Sequence, residues 1–501
     1  MSDQTYLGVD LGASSGRVMA GQWDGRQLQL EELRRFANGP DPKHEIGGSL
    51  RWDIRGLWNE IKQGLATGAS RFGSGVVSVG VDSWGVDYTL LDGDKELLGA
   101  PYHYRDTRTE GIMEDAFRRM PRFGIFQATG VQFLPFNSLF QMLAMRRQDP
   151  HVLEQARHFM MIPDYLHWCL SGEISAEFSN ATTTQFFDPS IRNWATDLLG
   201  LYDLPRDIYP EIKAPGLHIG PLQETVRQET GLHGIEVIAP ATHDTGSAVA
   251  AVPTTRTGSD NWAYISSGTW SLVGVELTSP RITSAVEAAN LTNEGGVDFT
   301  YRLLKNVMGL WLTQCCRRDF AKVGRERGFA ELNAAAGTAS PLVSLIDPDH
   351  LSFLNPPSMV KAVQEFCRDT GQPEPQEEAA IIRCVLESLA FKYAHVIDLL
   401  EEHAGCRIEV IHIVGGGSQN QLLNQLTADA CQRLVLAGPV EATAIGNVLV
   451  QAKGAGELSH LSEIREVVRK SFDIEEFQPN PDPGGSVVQA RDRFQQLLSQ
   501  P

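Results

Sequence analysis

The sequence predicts an α/β fold built as two related lobes, residues 1–254 and 255–501. Strand-like, helix-like and turn segments alternate along the chain, which is the pattern of an α/β domain. An apolar strand, a small polar turn and a returning strand open the chain at Tyr6–Glu32 and recur in kind at Asn261–Val275. At 501 residues there is length for two or three domains, each with a substantial core.

The first hairpin runs Tyr6-Leu-Gly-Val-Asp10-Leu-Gly-Ala-Ser-Ser-Gly-Arg17. An acid at the end of a buried strand is costly unless it has a partner, and hydrated Mg²⁺ is one such partner. The loop Ala13–Gly16 has little bulk, so a ligand can reach its backbone N–H groups, and Ser14, Ser15 and Arg17 add donors. A structural turn in which Asp10 only bonds backbone fits the same residues. Gly12-Ala-Ser14-Ser-Gly16 also matches a G-x-S-x-G nucleophile elbow, which needs a helix directly after the serine. Here Arg17–Trp23, Asp24-Gly25 and Arg26–Glu32 read as a hairpin instead. A Walker loop, G-x-x-x-x-G-K-[ST], occurs nowhere in the chain.

A helix is expected over 55–70, then Val76–Leu91 as a buried strand ending in Asp82, a turn, and a second strand. That turn holds Trp84, Gly85 and Asp87; an aromatic beside acceptors can hold a sugar, and a core tryptophan fits equally. From about 110 to 170 the pattern is helical. Ile235–Ala241 reads as a strand, followed by Thr242-His243-Asp244-Thr245 and a helix of small residues. Asp244 or Thr245 can serve there as an N-cap. Alternatively, the Asp244 carboxylate is a general base for a substrate hydroxyl, with His243 and Thr245 holding hydroxyls.

In the second half, Ser266–Trp270 is the donor-rich turn of the repeated hairpin. Lys305–Gln314 passes from strand to helix, with Asn306 and Gln314 either facing a cleft or capping and covering. Glu377–Glu402 contains no glycine or proline and spaces its apolar residues as one long amphipathic helix. Glu409–Val414, Gly415-Gly416-Gly417 and Gln421–Ala430 form a strand, a bare turn against which a flat ligand can lie, and a helix. The tail after about 470 reads as a Pro-containing loop and a short terminal helix.

Hydrophobic residues at 42% and charged residues at 21% mark a globular chain without low complexity. The formal charge of −19 disfavours nucleic acid and anionic membranes as partners, so an anionic substrate needs local cations. No basic, apolar leader opens the chain and no stretch approaches the roughly 18 apolar residues of a membrane span, so a soluble, cytoplasmic protein is expected. Seven cysteines without a C-x-x-C pair indicate neither a disulfide framework nor a zinc site. Cys315-Cys316 reads as core filling on a helix, and whether Cys367 meets Cys384 is left open.

Val9–Arg17, Thr242–Thr245, Ser266–Trp270, Lys305–Trp311 and Val414–Asn420 together resemble the FGGY family of carbohydrate kinases. Tyr104–Arg108, Phe133–Asn137, Met161–Tyr165, Asn180–Gln185 and Asn290–Gly296 extend the resemblance, which spans residues 6 to 420. It implies two actin-like (ribonuclease H-like) lobes of the actin-hexokinase superfamily, with ATP in a central cleft. By the family pattern Ala13, Ser14, Ser15, Gly16, Arg17, Thr269, Gln314 and Gly416 bind ATP, with Asp10 near its Mg²⁺. Gly85, His243, Asp244, Thr245 and Asn306 contact the sugar, and Asp244 is the base. The implied partners are ATP and a small ketose, phosphorylated on its 1-hydroxyl: L-rhamnulose, or alternatively L-fuculose or L-xylulose. A sugar-binding regulator of the same fold is the other option, and Asp10, Asp244 and both phosphate turns argue against it. A few residues near Pro253–Ser259 are extra to the family pattern and are expected in a loop.

Overall fold

A computed structural model describes residues 4–40, 48–259 and 261–499. The chain divides into two compact units. The first comprises residues 1–257, 276–303 and 442–471, so it takes two later stretches in addition to the expected 1–254 lobe. The second comprises 258–275, 304–441 and 472–501.

In the first unit, β1 (Gln4–Leu11), β2 (Ser15–Trp23) and β3 (Leu28–Ala37) form the expected antiparallel meander. Asp24 closes its second turn by accepting from the N–H groups of Arg26 and Gln27. Helix α1 (Ile54–Phe72) and β4 (Val76–Ser83) follow, and β4 lies parallel to β1. With β5 (His218–Pro221) and β6 (Glu236–Ile238) the sheet order is β5-β6-β4-β1-β2-β3. The second strand expected near residue 91 is Tyr88–Leu91, which leaves this sheet and pairs with His158–Met161.

Leu7, Val9, Leu11, Val18, Ile61, Leu65, Val79 and Val81 lie within one buried core. On the other face the helix Ala442–Gly454 packs closely, since a Cβ on Gly21 would stand 2.3 Å from Val448. The same helix meets α2 (Asp244–Ala250) backbone to backbone: a Cβ on Gly446 would stand 1.8 Å from the Ser247 carbonyl oxygen. Beyond α2, residues 251–259 form the expected loop.

In the second unit, β7 (Trp262–Ser267) and β8 (Trp270–Leu277), whose last two residues are counted with the first unit, form the repeated hairpin. Next come β9 (Tyr301–Met308), α3 (Trp311–Lys322), α4 (Glu378–Ala404), β10 (Val410–Val414), α5 (Gln421–Cys431), β11 (Leu434–Ala437) and β12 (Glu475–Phe477). The sheet has seven strands, with Thr292–Gly295 at one edge followed by β9-β8-β7-β10-β11-β12, and β7, β10 and β11 parallel. Cys315 and Cys316 are buried on α3 as core filling. All seven cysteines are free thiols, Cys367 and Cys384 included. The terminal helix is Ser486–Leu498.

Candidate active site

The parallel register of β1 on β4 sets Asp10 beside Asp82, while the antiparallel register of β1 on β2 sets Asp10 opposite Arg17. Arg17 Nη2 reaches Asp10 Oδ2 at 2.5 Å, so Asp10 is ion-paired and does more than bond backbone. Asp82 is fully buried. Its Oδ2 accepts from Asn447 Nδ2 at 2.6 Å, and its Oδ1 has no hydrogen-bond partner among the described residues. Burial, with the Asp10 charge beside it, pushes the Asp82 carboxyl well above the usual carboxylate range.

The phosphate-type turn of the first unit is closed by Gly12 N–H on Ser15 O at 2.9 Å. Asn38 braces it, donating its amide to Gly12 O at 2.7 Å and its backbone N–H to Ser14 O at 3.2 Å. Ser14 is left exposed at the tip, and Ala13 and Ser15 are half-buried. The Ala13–Gly16 backbone is therefore held from behind while its outer side stays open.

Asp244 is the first residue of α2, and His243 rather than Asp244 or Thr245 is the cap residue. The Asp244 side chain is 30% exposed. Its Oδ1 accepts from Thr245 N at 2.5 Å and Thr245 Oγ1 at 3.1 Å, leaving Oδ2 for another partner. Burial raises its carboxyl, with the Asp10 charge acting in the same direction and His243 opposing. His243 Nε2 lies 3.5 Å from Asp244 Oδ1. On the other edge of the ring, Nδ1 lies 3.2 Å from both Arg302 Nη2 and Glu294 Oε2. Nδ1 thus faces one group that can only donate, Arg302, and one that can accept, Glu294, while Nε2 faces Asp244.

The turn after β4 is held in an uncommon conformation. Val86 takes φ 65°, a costly value for a β-branched residue. Thr183 Oγ1 accepts its N–H at 3.1 Å and Ser138 Oγ donates to its carbonyl at 2.6 Å. Thr183 also packs against Gly85, where a Cβ would stand 2.9 Å from its Oγ1. Trp84 is buried, lies against Trp52 with ring centroids 4.1 Å apart and planes tilted by 33°, and donates to Asp87. It belongs to the core, so the ring is not a sugar platform. Asp10, Arg17, Asp82, His243 and Asp244 are thus gathered in one unit, with Gly85 on the neighbouring turn.

In the second unit Thr269 and Gly416 share one structure. Gly268 N–H closes the β7–β8 turn on Trp270 O at 2.9 Å. The start of α3 is joined to it, with Leu310 N–H on Gly268 O at 3.0 Å and Trp311 N–H on Thr269 O at 3.1 Å. Gln314 is half-buried in the first turn of α3, and Asn306 is half-buried on β9. The three glycines after β10 have different jobs. A Cβ on Gly417 would stand 1.9 Å from Ser267 Oγ and one on Gly415 3.0 Å from Ser267 O, whereas one on Gly416 would meet nothing within 4 Å. Two glycines are needed for packing under the turn, and the third faces open space.

Sequence reasoning passed over Asn38, Glu177, Asn447 and Arg302, each of which reaches its partner from a distant segment. Glu294 sits within the quoted Asn290–Gly296 motif, which was the available signal.

Residues 5–251 match the N-terminal domain, and residues 263–455 the C-terminal domain, of the FGGY family of carbohydrate kinases. The chain belongs to the FGGY family of carbohydrate kinases. It is 44% identical over 476 residues to a rhamnulokinase of Bacteroides thetaiotaomicron, covering 95% of this chain and 96% of that protein. It is 42% identical over 508 residues to a rhamnulokinase of Pectobacterium atrosepticum, covering 100% of this chain and 98% of the relative. Among solved structures, a gluconate kinase from Lactobacillus acidophilus aligns at a TM-score of 0.80 and 16% identity over 99% of this chain and 97% of that one, which shows the shared sugar-kinase fold. Members of the family use ATP and a sugar. No described helix is long and apolar enough to cross a membrane.

Proposed function

We propose that the chain transfers the γ-phosphoryl group of ATP to the 1-hydroxyl of L-rhamnulose, with Asp244 as general base. The partly exposed Asp244 carboxylate carries this reading. It is fixed at one oxygen by Thr245, flanked by an oriented His243, and close enough to Asp10 and Asp82 to share their field. A base in that position accepts the hydroxyl proton as the hydroxyl oxygen attacks phosphorus. His243, Thr245, Asn306 and the Gly85 backbone hold the sugar hydroxyls. The Ala13–Arg17 turn and the Thr269 turn hold phosphate oxygens, while Gln314 and the open Gly416 backbone receive the rest of the nucleotide. The rhamnulokinase relatives, alike over nearly the whole chain, support L-rhamnulose as the ketose. The protein works in the cytoplasm.

The donor set fits Mg²⁺ carried by ATP. No group of three or more His, Cys, Asp or Glu among the described residues encloses a metal ion, but Mg²⁺ on a nucleotide takes one or two carboxylates, with phosphates and water completing its shell. Asp10, with the unpartnered Asp82 Oδ1 next to it, supplies those oxygens. When bound, the cation neutralises charge developing on the phosphoryl group.

The substrate assignment is tested by coupled ADP release across a ketose panel, in which L-rhamnulose is expected to give the highest kcat/KM. A preference for L-fuculose or L-xylulose would remove the substrate assignment and leave the kinase chemistry intact. The glycine triplet gives a separate check on the nucleotide. Gly416→Val is expected to raise the KM for ATP at an unchanged Tm. Gly417→Ala is expected to cost about 1–3 kcal/mol, because its methyl has to displace Ser267. Equal effects of both variants on Tm would contradict the assignment of Gly416 to the ligand.

A further inference from the structure

Glu177 is a buried carboxylate, 2% exposed, to which the reaction as described gives no part. Its Oε2 accepts from Thr242 N at 2.9 Å, Thr242 Oγ1 at 2.7 Å and Ser179 Oγ at 2.5 Å, and its Oε1 accepts from Ser179 N at 2.8 Å. Ser179 Oγ in turn accepts the backbone N–H of His243 at 3.1 Å. The carbonyl side of the same segment is held separately, with Ser83 N at 2.9 Å and Asn180 Nδ2 at 3.2 Å both donating to Thr242 O. Both backbone N–H groups that precede Asp244 therefore depend on one carboxylate, directly at Thr242 and through Ser179 at His243.

We propose that Glu177 is the positioning residue of the reaction, fixing the Thr242–His243 backbone so that the Asp244 carboxylate points at the reacting hydroxyl. A carboxylate suits this place because the backbone N–H groups of Ser179 and Thr242, one on each of its oxygens, can only donate, and the two hydroxyls donate to it as well. A glutamine of the same shape would turn an amide N–H₂ toward donors at one end, freeing either Thr242 or Ser179. With the N–H₂ toward Thr242 the strand keeps only its carbonyl contacts, and with the N–H₂ toward Ser179 N the link through Ser179 to His243 is loosened, so Asp244 loses part of its fixed aim either way. Glu177 stands far from Asp244 in sequence, within a segment that also supplies Ser179, Asn180 and the Thr183 that braces the Gly85 turn. This stretch, which includes the Asn180–Gln185 motif, is therefore a support for both the base and the sugar turn.

The proposal rests on Asp244 being the base, and a double-mutant cycle on the full chain separates the two ideas. Single-turnover phosphoryl transfer from γ-labelled ATP to L-rhamnulose is measured for wild type, Glu177→Gln, Asp244→Asn and the double variant, alongside the KM for ATP. Glu177→Gln is expected to lower the transfer rate about 10–100-fold, as a displacement of the order of 1 Å does, with the KM for ATP within about twofold. In the Asp244→Asn background the same change is expected to have an effect of less than about twofold, because there is no base left to aim. An equal loss in both backgrounds would assign Glu177 a general structural role and overturn the proposal, as would a wild-type rate in Glu177→Gln. If Glu177→Gln does not fold, Ser179→Ala, which cuts only the link to His243, carries the same expected and overturning outcomes. Full activity of Asp244→Asn would instead remove the base assignment itself.

Discussion

Replacing Asp244 with asparagine is expected to lower kcat about 10²–10⁴-fold, the usual loss for a general base, with little change in Tm. Asparagine keeps the acceptor that caps Thr245 and fills the same volume, so the first turn of α2 survives. Only the ability to accept a proton is lost. The pH profile supplies a second signature. A raised carboxyl must lose its proton to act, so activity rises with pH through the folded-state value and falls as pH drops below it. Burial and the Asp10 charge place that acid limb above the ordinary aspartate value of about 3.9. An asparagine variant with wild-type kcat, or an acid limb at or below the ordinary value, would contradict the assignment.

Replacing Glu276 with alanine is expected to destabilise the first unit by about 3–5 kcal/mol, the cost of breaking a buried ion pair from one side. Glu276 and Arg465 form a bidentate pair, with Nη1–Oε2 at 2.9 Å and Nη2–Oε1 at 2.8 Å. Arg465 is fully buried and Glu276 nearly so. Arg465 Nη2 also donates to Val249 O at 3.3 Å, so the pair clasps the end of the helix that begins with Asp244. Without the carboxylate, the buried guanidinium charge loses this bidentate partner. Chemical denaturation followed by tryptophan fluorescence reads the loss. A change below about 1 kcal/mol would show the pair to be a solvated surface contact instead.

How much of this was legible in the sequence depended on how far each signal reaches along the chain. The hairpin after Asp10 could be read because Asp24-Gly25 and the flanking alternation act over a few residues. Helix α4 was legible for the same reason, through an uninterrupted 3.6-residue period, and is observed at Glu378–Ala404. The Asp10, Asp244 and glycine-triplet turns stood out as candidate sites, since acids and glycines at strand ends are costly without a purpose. Their supports were not. Glu177 reaches Thr242 across 65 residues and Asn447 reaches Asp82 across 365, so only the assembled sheet and helices bring them together. The return of residues 276–303 and 442–471 to the first unit was hidden in the same way, because a packing face does not announce its partner. Trp84 shows the converse: its neighbours suggested a ligand, and the Trp52 and Asp87 contacts that place it in the core lie partly outside the local pattern.

The central claim is phosphoryl transfer from ATP to a primary sugar hydroxyl, and proton-coupled ³¹P NMR of the reaction with L-rhamnulose tests it directly. Carbon 1 carries the ketose's only primary hydroxyl, so transfer there predicts a phosphomonoester triplet split by the two carbon-1 protons, appearing with ADP. A doublet would place the phosphoryl group on a secondary hydroxyl, and inorganic phosphate without any ester would mean that water is the acceptor. Either result would contradict the account.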